Sequence, residues 1–141
     1  MKTSELLREA RTLIERQENW TQKAMSRGMG IDGKPEQFCA IGALQWAGDQ
    51  HADMSPEHVD LVKTEASARR YLNTSAYNER IKGRSELQAI VKTKHQMVHT
   101  FCLNDGVDLQ GRNKKTREKL AHEAVLRAFN DAIKRATTRG S

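Results

Sequence analysis

Residues 121–136 read A-H-E-A-V-L-R-A-F-N-D-A-I-K-R-A. Ala121, Ala124, Val125, Ala128, Phe129, Ala132, Ile133 and Ala136 recur at steps of three and four, the spacing of one helix face, while Glu123, Arg127 and Lys134 occupy the other. The stretch predicts a long closing helix that starts near Asn113. Alanine dominates the stripe, and a side chain no larger than a methyl lets a second backbone come close. The segment carrying Ala40, Gly42, Ala43 and Ala47 is the expected neighbour.

The same periodicity extends backward through the chain. Leu6, Leu7, Ala10, Leu13 and Ile14 form one face of a first helix over residues 3–18. From Met25 to Pro35 the chain holds three glycines, which reads as a loop with room for a small hairpin around Asp32-Gly33. A second helix is expected from Pro35 or Glu36 to Gly48, with proline at its first position and an acid at the positive end of its dipole. Ser55-Pro56-Glu57 predicts the start of a third helix that runs to Asn73. Residues 74–84 lack helical spacing and read as a polar connection. Ser85 and Gln88 suggest a capping box opening a fourth helix to Leu103, which Asn104-Asp105-Gly106 ends. Strand-like alternation is almost absent. The expected fold is all-α: one domain over residues 1–141, five helices, one glycine-rich loop at 25–35, and a last few residues that fray.

A chain of 141 residues suits one domain with a genuine core. Two cysteines, no apolar leader at the N-terminus and no long apolar run predict a reduced, cytoplasmic protein with no membrane contact. Residues 1–70 carry 10 Lys+Arg against 11 Asp+Glu, and residues 71–141 carry 14 against 7, so the halves sum to −1 and +7. The basic half is the candidate contact for a polyanion. Within it, Lys134, Arg135 and Arg139 suit the negative end of a helix dipole, whereas Arg112, Lys114, Lys115, Arg117 and Lys119 lie at the positive end, where cations are disfavoured. Helix stability does not explain that cluster, which makes it the candidate binding site. The loop from Arg27 to Lys34 is the second candidate surface.

Phosphate-cradling and hydrolytic motifs are missing: there is no G-x-x-x-x-G-K-S/T, G-x-G-x-x-G after a strand, H-E-x-x-H or G-x-S-x-G. Helices four and five are too far apart for a helix-turn-helix. Cys39 stands among Phe38, Ile41, Leu44 and Trp46, so burial as a small hydrophobe is its expected role. Its alternative role is that of a nucleophile near a helix start, with His95, His99 or His51 as base and Asn104 or Asp105 as orienter. His95, His99 and Cys102 fall at i, i+4 and i+7 of the expected fourth helix, and with Cys39 they would make a zinc-compatible set. No stoichiometric metal or other cofactor is expected, because the same stripe holds Val98 and Phe101. His58 and His122 sit among charged neighbours and are expected to face water.

Trp20-Thr21-Gln22, F-C-A-I-G-A-L at 38–44, Asn104-Asp105 and E-A-V-L-R-A-F-N-D-A-I at 123–133 occur in that order. The combination resembles an uncharacterised family of small bacterial and phage domains with W-T-x, C-x-x-G-A-L, W-N-D and F-x-x-A-I motifs. Leu103 stands where that family carries tryptophan. The resemblance implies a shared fold and a bacterial or phage origin, and it brings no activity. Together these readings predict a non-enzymatic accessory protein that docks to a nucleic acid, a nucleoprotein or an acidic protein through its basic half. A thiol-dependent enzyme and a zinc-stabilised interaction domain are the alternatives.

Overall fold

A computed structural model of the chain describes residues 2–30, 32–50 and 75–141. Within them the fold is mostly helical and forms one compact domain. The α-helices are α1 (Thr3–Ile14), α2 (Ala40–Gln50), α3 (Ser75–Lys94), α4 (Thr100–Asn104) and α5 (Lys114–Thr138). Strands β1 (Ser26–Arg27) and β2 (Gln37–Phe38) pair antiparallel, Ser26 opposite Phe38, as the base of the glycine-rich hairpin. Short 3-10 turns occupy Gln17–Asn19 and Val107–Leu109.

The closing helix forms as its spacing predicts. Asn113 caps it, its side chain accepting from the Thr116 N–H at 2.8 Å. Ala121, Val125, Ala128, Phe129, Ala132 and Ala136 are all buried. The neighbour differs from expectation. The alanine stripe packs on α1 and α3 rather than on α2, which packs on the same two helices. The close approach at α2 is made instead by backbone: a Cβ on Gly42 would collide with the Met25 carbonyl oxygen, because the chain entering β1 passes directly over that residue. The Cys39 N–H donates to the same oxygen at 3.1 Å, which fixes the crossing.

Several boundaries move for identifiable reasons. The first helix stops at Ile14, and the residues expected to continue it form the 3-10 turn that leads into Trp20. Pro35 does not open α2. Gln37 and Phe38 are drawn into β2 by pairing with β1, so the helix begins at Ala40. Residues 75–84 are helical rather than a polar connection, and α3 runs unbroken through Ser85, so the expected capping box is not one. Gln88 acts elsewhere. Its Oε1 accepts from the Thr100 N–H and hydroxyl at 2.9 and 2.8 Å, and its Nε2 donates to Val98 O at 2.6 Å. That clamp holds a break between α3 and α4, where Gln96 takes a left-handed φ of 55°. The third helix expected over 55–73 lies outside the described residues. At the C-terminus the Ser141 N–H donates to Ala136 O, and Ser141 O accepts from the Ser4 N–H.

Candidate polar cleft above a buried asparagine

The conformations of three separate loops are fixed by one side chain. Asn104, at the end of α4, is 1% exposed. Its Oδ1 accepts from Trp20 Nε1 at 2.8 Å and from the Ala40 N–H at 3.0 Å, and its Nδ2 donates to Thr21 O at 3.0 Å and Asp105 Oδ1 at 3.3 Å. Both lone pairs and both protons of the amide are thereby used. The Ala40 N–H is an orphan donor of the first turn of α2, so Asn104 also serves as a cap for that helix. Around it, Gln22 Nε2 donates to Asn104 O at 3.0 Å and the Lys23 N–H to Asp105 Oδ1 at 2.9 Å. Trp20 lies against the His122 ring at 5.2 Å, and His122 Nε2 donates to Ile14 O at 2.6 Å. His122 is therefore buried and structural, contrary to the expectation that it faces water. Its charged sequence neighbours lie on other faces of α5.

The outer side of this junction is an open cleft of about 510 Å³. Its floor is Trp20, Thr21, Gln22, Asp105 and Gly106, and its walls carry Lys23, Arg27, Lys114, Arg117 and Glu118, with Gln17, Gln37 and Gln110 alongside. Gly106 has φ 66°, and a Cβ there would press on Ala121 and on the Arg117 stem, so glycine is what lets α5 close against the turn. Four cations thus face two carboxylates. The ion pair the structure gives these cations among the described residues is a loose Lys114–Glu118 contact at 4.0 Å. Arg27 Nη2 donates to Gln22 O at 3.2 Å, which turns the guanidinium toward the cleft floor.

The basic cluster read from the sequence divides on the helix. Lys114 and Arg117 line the cleft, whereas Arg112, Lys115 and Lys119 are exposed and do not line it. Lys23 is the cleft cation that sequence reasoning missed. Its place directly after the Trp-Thr-Gln motif is the signal that could have found it. Arg27 belongs to the loop read as the second surface. Two of the cations at the other end of α5 are engaged: Arg135 Nε and Arg139 Nη1 contact the Glu86 carboxylate of α3 at 2.8 and 2.9 Å.

The cysteine and histidine sets do not assemble as their spacing suggested. Cys39 is 1% exposed and immediately precedes α2. Its side-chain contacts are Met25 Sδ at 3.9 Å and the Gly42 N–H, which donates to Sγ at 3.3 Å. Burial pushes its thiol up from the ordinary pKa, against smaller lowering by the Gly42 and Ile41 N–H groups. A raised thiol is the opposite of an activated nucleophile. Asn104, its candidate orienter, is fully committed as described. His95 lies past the end of α3 and His99 caps α4, with Nδ1 accepting from the Phe101 N–H at 3.2 Å and its ring stacked on Phe101 at 4.9 Å. The break at Gln96 removes the helical register that put His95, His99 and Cys102 on one stripe. Burial and the nearby Arg127 charge hold His95 below its ordinary pKa. Among the described residues no group of three or more His, Cys, Asp or Glu is placed to hold a metal ion. His51 and His58 lie outside the described residues.

No curated protein and no solved structure matches the chain. The model of a family of unknown function, DUF6197, matches residues 1–139, and the chain belongs to that family.

Proposed function

We propose that this protein is a non-enzymatic binding protein that holds an anionic macromolecular partner at the cleft above Asn104. The convergence of Lys23 and Arg27 with Lys114 and Arg117 on one polar concavity, four cations against two carboxylates, carries this reading. Surface ion pairs usually neutralise such clusters, and Arg135 and Arg139 at the far end of α5 illustrate it. Lys23, Arg27 and Arg117 have no ion pair among the described residues, Lys114 has only its loose contact to Glu118, and all four sit where a ligand would meet them together. A role as an accessory protein in the cytoplasm of a bacterium or a phage-infected cell fits two unpaired cysteines and the absence, among the described residues, of a helix able to cross a membrane.

The test is the salt dependence of binding to labelled duplex DNA and to a labelled acidic peptide, with Lys114, Lys115 and Arg117 reversed to Glu. Circular dichroism must first show that the variant keeps its helices. Binding should weaken for whichever probe the wild type holds. For duplex DNA, loss of two contacts should shallow the slope of log K against log salt by roughly 1 to 2 units. Unchanged binding after the triple reversal would refute the reading.

A further inference from the structure

Lys23 has a φ of 60°, one of two non-glycine residues among those described in the left-handed region. An L side chain is strained there and glycine is not, so local stability argues for glycine at this position. The turn is nevertheless clamped into place: Asp105 Oδ1 accepts from the Lys23 N–H, and the preceding Gln22 is held by Asn104 O through its amide and by Arg27 through its carbonyl. The clamp places Lys23 in the wall of the cleft. Strain retained at the edge of a concavity points to a side chain kept for what it binds.

The remaining cleft chemistry discriminates between polyanions. Asp105 and Glu118 stand within the cleft, where a continuous run of phosphates would pass close to both. Trp20 is 5% exposed with its Nε1 already bonded, so it offers no open face for a base to stack on. At about 510 Å³ the concavity has the size of a small-ligand pocket, room for a few residues of extended chain and too little for a duplex to enter. Gln17 and Gln110 bring amides that match peptide N–H and C=O groups. We infer that the cleft receives an extended acidic polypeptide segment, with Lys23 as the strained cation that anchors one of its carboxylates. This rests on the cleft reading proposed above.

The experiment compares, by fluorescence anisotropy at one salt concentration, a short labelled peptide alternating glutamate with glycine and serine, a labelled oligodeoxythymidine of equal net charge, and a labelled duplex. The proteins are the wild type, Lys23→Gly and a Lys114→Glu/Arg117→Glu double variant, each with its melting temperature. The peptide should bind more tightly than either nucleic acid. Lys23→Gly should weaken the peptide complex about fivefold, the scale of one well-placed charge contact, while its melting temperature is unchanged or raised. Tighter binding of either nucleic acid would overturn the peptide assignment and leave the basic cleft standing. Equal peptide affinity for Lys23→Gly and wild type, or a lowered melting temperature in that variant, would overturn the role of Lys23. If the double variant also binds every probe as the wild type does, or the wild type binds none, the cleft reading falls with it.

Discussion

The two sides of one set of loops obey different rules. On the inner side, Asn104 spends all four hydrogen-bonding positions of its amide on Trp20, Thr21, Ala40 and Asp105, and the choices of residue there agree with the fold. On the outer side, a few residues away, the chain keeps a lysine in a left-handed conformation and gathers cations at the positive end of the α5 dipole. Both outer features oppose stability. Natural sequences break local rules mainly where function requires it, so the contrast supports the proposal that the inner side is architecture and the outer side the working surface.

Breaking the inner side should produce the largest effect. Asn104→Leu keeps a similar volume and leaves Trp20 Nε1, the Ala40 N–H and Thr21 O without their partner. Each buried group left unpaired costs about 1 to 3 kcal/mol, and partial relaxation of the loops offsets some of the sum. A loss of about 3 to 5 kcal/mol by urea denaturation is expected. A loss below about 1 kcal/mol would show that the junction is not what ties the loops together.

How legible these two sides were in the sequence follows from the range of the interactions. The α5 stripe is legible because its signal is local and repeats over several turns. The limits of α2 are not, because Gln37 and Phe38 are held by pairing with Ser26 and Arg27, a contact across a nine-residue loop that outweighs the start signal at Pro35. The sequence of α3 and α4 reads as one helix because the break depends on Gln88 reaching forward to Val98 and Thr100. Of the cations that line the cleft, Lys114 and Arg117 carry a local cue in the sequence, their place at the positive end of the dipole. Lys23 has only its place directly after Trp-Thr-Gln as a signal, and the clamp on its left-handed turn comes from Asp105, 82 residues away. The burial of His122 is hidden for the same reason: its partner Ile14 O is 108 residues distant.

Cys39 sharpens the comparison, because it lies on the inner side yet carries a group that could have been chemical. Cys39→Ala should cost about 1 to 2 kcal/mol through a small cavity and loss of the Sγ contact to the Gly42 N–H. Burial raises the folded-state pKa of the thiol above its unfolded value. The unfolded chain therefore ionises first, and the stability present below the unfolded pKa is lost as pH rises through it toward the folded pKa. Wild-type stability should accordingly fall with alkaline pH more steeply than that of Cys39→Ala. Native-state thiol labelling at neutral pH should be slow at Cys39. Rapid labelling there, or parallel pH profiles for the two proteins, would place the thiol on the working side instead.

The smallest effect should have the opposite sign. Lys115 lies in the first turn of α5, exposed, outside the cleft wall and without an ion pair among the described residues. Its charge meets the positive end of the helix dipole, where a carboxylate is favoured by about 0.3 to 1 kcal/mol at low ionic strength. Lys115→Glu should therefore raise stability by a few tenths of a kcal/mol, and the gain should shrink as salt screens the interaction. The neighbouring Lys114 is a less clean test, since it also approaches Glu118 on the next turn. A stabilised Lys115→Glu variant that binds the partner more weakly would show that the chain gives up stability here to keep a positive rim. A variant that is stabilised and binds unchanged would confine the working surface to the cleft residues, Lys23, Arg27, Lys114 and Arg117. A destabilised variant would mean that the first turn of α5 is held by its cations, and the contrast between the two sides would lose one of its supports.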